Sequence, residues 1–170
     1  MNRRMLVACI AIGVAALCVP AVVTFPARLV YNPSESVARG WYRIGSSDVL
    51  HVGGIVLVRL PAGVAALAAQ RGYLPAGVPL LKRIGAVAPQ LVCVGEAAVR
   101  IVGVAVASVP AADGVGRPLS PWAQCRALSE GELFLLSNTH AESFDSRYFG
   151  PVDASDVIGR AHPLWTWNSP

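Results

Sequence analysis

The 170-residue chain is poor in lysine and in charge. Thirteen arginines accompany a single lysine, Lys82, and charged residues make up 14% of the chain against 54% hydrophobic ones. Such a balance is too apolar for a disordered chain and indicates a membrane segment or a β-rich core. From Leu29 onward ten arginines and one lysine face ten acidic residues, a net charge of +1. Since no basic cluster remains there to neutralise phosphates, we expect no nucleic-acid partner.

Three catalytic or metal-binding signatures are missing. The sequence holds no Cys-x-x-Cys, which argues against a zinc or redox site built on that motif. It holds no His-Glu-x-x-His, which argues against a metalloprotease, and no Gly-x-Ser-x-Gly, which argues against a hydrolase with a nucleophile elbow. His51, His140 and His162 still leave a Ser–His–Asp hydrolase as an alternative, because His140 is near Asp145 in sequence.

The lone lysine lies in an apolar run, Val78-Pro-Leu-Leu-Lys82-Arg83-Ile-Gly85-Ala-Val. Arginine keeps its proton near neutral pH, whereas a buried lysine can lose it. Burial can lower the lysine pKa by several units and make the amine a usable base. The alternative is that Lys82 extends to solvent from a strand edge.

The N-terminal segment favours a membrane anchor. Residues 5–27 carry no charged side chain and follow Arg3 and Arg4. As a helix, 23 residues would cross a hydrocarbon core of about 30 Å, with the N-terminus in the cytoplasm. A cleaved signal peptide is the alternative, but the residues after the apolar stretch form a poor cleavage site. We therefore predict a cytoplasmic N-terminus and transmembrane anchor over 1–28, a periplasmic domain over 29–170, and location in the inner membrane.

The positions of the cysteines are also consistent with export. Cys93 and Cys125 are the two that follow the predicted anchor. They could form a disulfide in an oxidising compartment, with two buried free thiols as the alternative.

The rest of the chain predicts a mainly β fold. Short runs rich in Val, Ile and Leu alternate with Gly and Pro, a pattern typical of strands. Residues 64–71 predict a short helix and 110–121 a surface loop. The predicted strands are Gly54–Leu60, Pro79–Val87, Leu91–Val94, Ala98–Ile101, Val104–Ala107, Glu132–Ser137 and Asp156–Ala161.

Two polar segments flank the lysine run. Tyr31-Asn-Pro-Ser34-Glu-Ser36-Val-Ala-Arg-Gly40-Trp-Tyr-Arg has two serines two positions apart, and Ser143-Phe-Asp145-Ser-Arg147-Tyr-Phe-Gly150 follows a predicted strand. Each has an ordinary structural explanation: a turn or helix cap for the first, and an ion pair that pins a loop for the second.

Together and in this order, the anchor and the three segments resemble the type I signal peptidase family. Asn-Pro-Ser-x-Ser-x-x-x-Gly-Trp-Tyr-Arg and Ser-Phe-Asp-Ser-Arg-Tyr-Phe-Gly-Pro-Val resemble its conjugative-transfer branch, the TraF-like peptidases. The resemblance covers nearly the whole chain, to the ending Ile158-Gly-Arg-Ala-His-Pro-Leu-Trp165.

The resemblance implies a signal-peptidase-like β domain behind one transmembrane helix. It makes Ser36 the nucleophile and Lys82 its general base, with no cofactor or metal. By the same resemblance, Ser34 supplies a hydroxyl to the oxyanion hole and Ser143 supplies a hydroxyl that binds the base. Asp145 and Arg147 shape the site, and Asp145 is functionally required.

Two departures refine this expectation. Ala38 stands where the family commonly has proline, and Ser137-Asn-Thr-His140 replaces the Gly-Asp-Asn-Arg of ordinary signal peptidases. The second departure favours the specialised branch, whose members process pilin precursors and in some cases cyclise them. We expect a pilin-like precursor as substrate, and the sequence leaves cyclisation open. The non-enzymatic alternative is an envelope or pilus assembly subunit.

Overall fold

The computed structural model describes residues 2–22, 29–137 and 140–167, leaving aside the side chains of 16–22. Its helices are α1 (Arg3–Val22), α2 (Ala62–Gln70) and α3 (Ser146–Phe149). A 3-10 turn covers Ala154–Asp156. The strands are β1 (Leu29–Asn32), β2 (Arg39–Ile44), β3 (Ile55–Val58), β4 (Leu80–Val87), β5 (Leu91–Val94), β6 (Ala98–Ile101), β7 (Val104–Ser108), β8 (Cys125–Ala127), β9 (Glu132–Leu135), β10 (Val152–Asp153) and β11 (Val157–Trp167).

The strands form two antiparallel sheets, so the predicted mainly β fold is confirmed. A seven-stranded sheet has the order β1-β2-β11-β3-β4-β9-β10, and a four-stranded sheet has the order β7-β6-β5-β8. One apolar cluster joins the two sheets, since it combines Ala86 and Phe134 of the larger sheet with Val92 and Val99 of the smaller. β4 therefore contributes to the core that joins the two sheets, and it pairs with β3 and β9.

The apolar strands match their predicted ranges, while the polar ones differ. β5 and β6 have the predicted bounds, and β3, β4, β7 and β9 agree within a few residues. β11 continues to Trp167, well past the predicted Ala161. Four strands were not predicted: β1, β2, β8 and β10.

The N-terminal prediction has a mixed outcome. Residues 3–22 do form one helix. Across the described part of the chain, no helix is long and apolar enough to cross a membrane. Residues 23–28 of the predicted anchor and 168–170 of the predicted domain lie outside the described residues. The division at residue 28 stays a prediction.

Close backbone contact at Gly40 holds β2 against β11. Gly40 has a φ of +147°, and a Cβ there would lie 2.2 Å from the carbonyl oxygen of Trp165. Only glycine permits both this dihedral angle and this approach. Because Gly40 also pairs with Asn32 across β1 and β2, it fixes the base of the turn that carries Ser36.

Candidate functional site

Ser36 lies in the turn between β1 and β2, residues 33–38. Next to it Val37 is 1% exposed and packs with Tyr42 and Leu81 in an apolar cluster. The Ser36 side chain is itself buried, with its Oγ 3.5 Å from the carbonyl oxygen of Leu81, the residue before Lys82. Burial of Val37 therefore brings the candidate nucleophile against the strand that carries the candidate base.

The buried side chain of Asn32 organises this turn. Its Nδ2 donates to the backbone oxygens of Ser34 at 2.9 Å, Val37 at 3.1 Å and Ala38 at 3.1 Å. Its Oδ1 accepts from Ser34 N at 3.2 Å and from Ser34 Oγ at 2.9 Å. Because three carbonyl oxygens face one side of the amide and an N–H faces the other, the orientation of the amide is fixed. Sequence reasoning missed this role, although an Asn before Pro-Ser is a turn signal.

The same contacts set the direction of the hydroxyl protons. Asn32 Oδ1 cannot donate, so Ser34 must give its proton to it. The Oγ atoms of Ser34 and Ser36 lie 2.9 Å apart, and with the Ser34 proton already used, Ser36 is the donor between them. In this state the Ser36 hydroxyl points to Ser34.

Lys82 is 3% exposed on β4, opposite Val56 of β3. Its Nζ donates to Ser143 Oγ. Loss of hydration on burial lowers the pKa of Lys82 from 10.5 to about 8, while the negative charge of Asp145 raises it and the positive charge of Arg147 lowers it. The base therefore becomes neutral only slightly above physiological pH, as general-base chemistry requires.

Asp145 and Arg147 form a fully buried ion pair, each 0% exposed. Arg147 Nε lies 2.8 Å from Asp145 Oδ1, and Arg147 Nη2 lies 3.0 Å from Asp145 Oδ2. The other guanidinium bonds go to backbone oxygens of Ser108, Ala141 and Ser137. All five donor positions of the arginine are thus used, which compensates for its desolvation.

This ion pair shapes the segment that carries Ser143. Asp145 Oδ2 accepts from Ser137 N at 3.0 Å, and Arg147 Nη1 donates to Ala141 O at 3.0 Å. The pair therefore ties both sides of the 137–145 segment, at the end of β9, to one buried point. Residues 138 and 139 of the predicted Ser137–His140 motif lie outside the described residues.

One cavity of about 510 Å³ brings the candidate residues together; we call it the dyad cavity. Ser36 and Lys82 both line it, but within the described structure no hydrogen bond joins Lys82 Nζ to Ser36 Oγ. The buried pair Asp145–Arg147 lies behind this lining. Its lining includes the polar residues Ser34, Ser36, Lys82, His140 and Ser143 and the aromatic residues Tyr73 and Phe144.

In the structure, Asp145 is not available as the acid of the Ser–His–Asp alternative. Both oxygens of Asp145 accept hydrogen bonds from Ser137 and Arg147, and none of the described histidines bonds to them. His51 instead contacts Arg160, with Nε2 3.1 Å from its Nη2.

Cys93 and Cys125 face each other on β5 and β8, where the structure joins them by a disulfide.

Chemically, the arrangement supplies a serine hydroxyl, a buried amine with a lowered pKa and a second hydroxyl beside the nucleophile. A serine needs a neighbouring base to attack a carbonyl, and fixed donors beside it can stabilise the oxyanion that forms. The Ser36 hydroxyl has to turn from Ser34 toward Lys82 for this reaction, as is common in enzymes without substrate.

Comparison with known proteins identifies the family of this chain. The family model described as signal peptidase, peptidase S26, matches residues 1–167. A plasmid transfer protein TraF of Escherichia coli is 33% identical over 175 residues, covering 97% of each protein. A probable conjugal transfer protein TraF of Sinorhizobium fredii is 34% identical over 172 residues, covering 92% of this chain and 89% of that protein.

Among solved structures, a signal peptidase I from Enterococcus faecalis is 21% identical, with a TM-score of 0.37, covering 66% of this chain and 97% of that one. The sequence matches alone establish the relationship. The chain belongs to the signal peptidase family, peptidase S26, and to its branch of plasmid and conjugal transfer proteins named TraF.

Proposed function

We propose that this protein is a serine endopeptidase that cleaves an exported precursor, a pilin-like protein of a conjugative transfer system, with Ser36 as nucleophile and Lys82 as base. The observation that carries the proposal is the dyad cavity, which a buried serine and a buried lysine with a pKa of about 8 line together. Relatives named plasmid or conjugal transfer proteins suggest the biological setting.

The proposed reaction has two stages. Ser36 Oγ bonds to the scissile carbonyl carbon while its proton passes to neutral Lys82. The Ser36 backbone N–H stabilises the oxyanion, and the Ser34 hydroxyl joins it by turning its proton from Asn32 Oδ1 to the oxyanion. The C–N bond then breaks as Lys82 returns the proton to the leaving amine, which leaves an acyl ester on Ser36. Water attacks the ester, Lys82 takes its proton and passes it to Ser36, and a new carboxyl terminus is released. An amine in place of water would give an amide, as cyclisation requires.

Ser143, Asp145 and Arg147 have positioning roles in this proposal. Ser143 accepts a hydrogen bond from Lys82 Nζ, which fixes the direction of the amine. Asp145 and Arg147 bind the backbone that precedes Ser143, at Ser137 N and Ala141 O, and so hold that hydroxyl in place.

We also propose attachment to the inner membrane through the N-terminal segment, with the cavity on the periplasmic side. The support is the sequence pattern of Arg3 and Arg4 followed by the uncharged run 5–27. Cell fractionation tests it: the full chain should sediment with inner membranes, and recovery in the soluble fraction would contradict this part.

Precursor processing tests the peptidase itself. We would co-express the chain with a candidate pilin precursor from its own transfer locus and measure precursor and product by mass. Wild type should cleave, while Ser36→Ala should leave full-length precursor because no nucleophile remains. Ser129→Ala, an exposed serine outside the dyad cavity, is the matched control and should cleave like wild type.

The product mass also shows whether water or an amine releases the product from Ser36. A product one water lighter than the linear fragment indicates cyclisation. Cleavage by Ser36→Ala at the wild-type rate would instead favour the non-enzymatic assembly subunit or another enzyme acting on the precursor.

A further inference from the structure

An aromatic pair forms one wall of the dyad cavity. The ring centroids of Tyr73 and Phe144 lie 5.1 Å apart, and both residues line the cavity. Tyr73 follows α2 in the connection to β4, and Phe144 is the neighbour of Ser143, which binds Lys82. This wall therefore stands beside the reacting groups without providing one of them.

A buried carboxylate outside the cavity holds the Tyr73 ring. Asp113 is 9% exposed, and its Oδ2 accepts from the Tyr73 hydroxyl and from Arg117 Nε, the latter at 2.7 Å. Its Oδ1 accepts from the backbone N–H groups of Val115 at 3.1 Å and Arg117 at 2.8 Å. A buried carboxylate with four such donors is expensive to displace, because displacement would break all four hydrogen bonds.

The 110–121 segment surrounds Tyr73 with further contacts. The Arg117 guanidinium lies 5.3 Å from the centroid of the Tyr73 ring. Arg117 Nη2 also donates to Arg71 O at 2.9 Å, and Arg71 Nη1 donates to Pro118 O at 2.8 Å. As predicted, this segment is a loop whose residues are mostly exposed or half-buried, and the contacts of its buried Asp113 fix the chain at the end of α2.

We propose that Tyr73 is a specificity-determining residue, whose ring sets the size limit for the substrate side chain that enters this side of the dyad cavity. Asp113 binds the Tyr73 hydroxyl, Arg117 lies over one face of the ring, and the backbone at Arg71 is held as well. The ring is therefore not free to rotate away from a larger substrate group. Apolar sites discriminate by about tenfold or more for a single methylene, and overfilling a rigid site is costly. This inference rests on the proposed function and names the part of the site that selects the substrate.

The test compares substrates on one enzyme. Precursor variants would carry alanine or leucine, one residue at a time, along the segment before the cleaved bond. The leucine-to-alanine ratio of kcat/KM would be measured for wild type and Tyr73→Ala. At one position the ratio should rise about tenfold or more in the variant. Because both substrates meet the same enzyme, partial unfolding of the variant cannot change this ratio.

Two carboxylate variants test whether Asp113 acts by holding the Tyr73 ring or whether any loss of a paired carboxylate changes the ratio. Asp113→Asn lies outside the cavity lining but weakens the hold on Tyr73, so the ratio should rise in the same direction by a smaller factor. Glu132→Gln is the matched control. Its carboxylate is also held by an arginine, with Arg126 Nη1 at 2.6 Å and Nη2 at 2.8 Å, but it does not line the dyad cavity, so its ratio should equal that of wild type.

The inference is overturned if wild type cleaves and Tyr73→Ala keeps the wild-type ratio within about twofold at every position, a change too small for an altered pocket wall. Should Tyr73→Ala not be recovered as a folded protein, Tyr73→Leu is judged by the same criterion. Failure of wild type to cleave the alanine-bearing precursors contradicts the proposed function instead, so the two failures are distinguishable.

Discussion

Replacing Lys82 with methionine should lower the rate of precursor processing by roughly a thousandfold or more, the order of loss when a nucleophile loses its base. Methionine fills a similar apolar volume but cannot accept the Ser36 proton. The rate is measured from precursor and product masses with purified protein. Processing by Lys82→Met at more than about a tenth of the wild-type rate would show that Lys82 is not the base, since a lost base costs far more than that.

The same variant should be more stable than wild type at pH 7. Burial lowers the pKa of Lys82 from 10.5 to about 8, and each unit corresponds to about 1.4 kcal/mol. The folded protein therefore carries a penalty of about 3 kcal/mol wherever the lysine is charged in both states. Since the unfolded chain binds more protons between about pH 8 and 10.5, wild-type stability should rise there and the advantage of Lys82→Met should disappear. Urea unfolding of both proteins at pH 7 and above pH 10 measures this difference.

Arg83→Met is the matched control for both measurements. Arg83 is the next residue on β4, and its Nη1 donates to the exposed Gly53 O at 2.9 Å. The substitution removes the same charge from the same strand without touching the dyad cavity. It should leave the processing rate near that of wild type and show no stabilisation at pH 7.

The second large effect is expected at the buried ion pair. Asp145→Asn removes the charge that compensates Arg147, and both side chains are 0% exposed. Breaking a buried pair by neutralising one partner costs about 3–5 kcal/mol, because the other charge stays buried. Urea unfolding should show a loss of this order. Asp145→Asn together with Arg147→Met should lose less than the sum of the two single variants.

Glu35→Gln provides the control for the ion pair. The Glu35–Arg39 pair has an N–O distance of 2.7 Å, but its side chains are 56% and 42% exposed. An exposed pair of this kind contributes at most about 1 kcal/mol, so Glu35→Gln should unfold close to wild type. A loss at Asp145→Asn no larger than at Glu35→Gln would contradict the structural role assigned to the pair.

The central strands could be predicted because their residues are apolar and their ends carry turn residues. β5 and β6 are examples, since each is a four-residue, mostly apolar run before a turn. β2 and the second half of β11 could not be predicted in this way. β2 alternates buried residues with exposed Trp41 and Arg43, and the part of β11 that pairs with it contains Pro163 and exposed tryptophans. Their pairing with each other, rather than their apolarity, makes them strands.

The candidate site could be predicted only through resemblance. Ser36, Lys82 and Ser143 are far apart in sequence, and periodicity does not say that the β1–β2 turn and the end of β9 meet beside β4. The apolar run around Lys82 left open whether its amine is buried or extends to solvent, and the structure shows the residue 3% exposed. The roles of Asn32 and Asp113 depend on backbone geometry and on side-chain contacts across long sequence separations, for which the sequence holds no pattern.

The pH dependence of kcat/KM for precursor cleavage tests the central claim most directly, because it reports the ionisation of the free enzyme's essential base. We expect a rate that rises with pH through an apparent pKa near 8, the value to which burial lowers the pKa of Lys82. A limb near the ordinary histidine pKa of about 6.5, or a rate independent of pH through this range, would contradict Lys82 as the base.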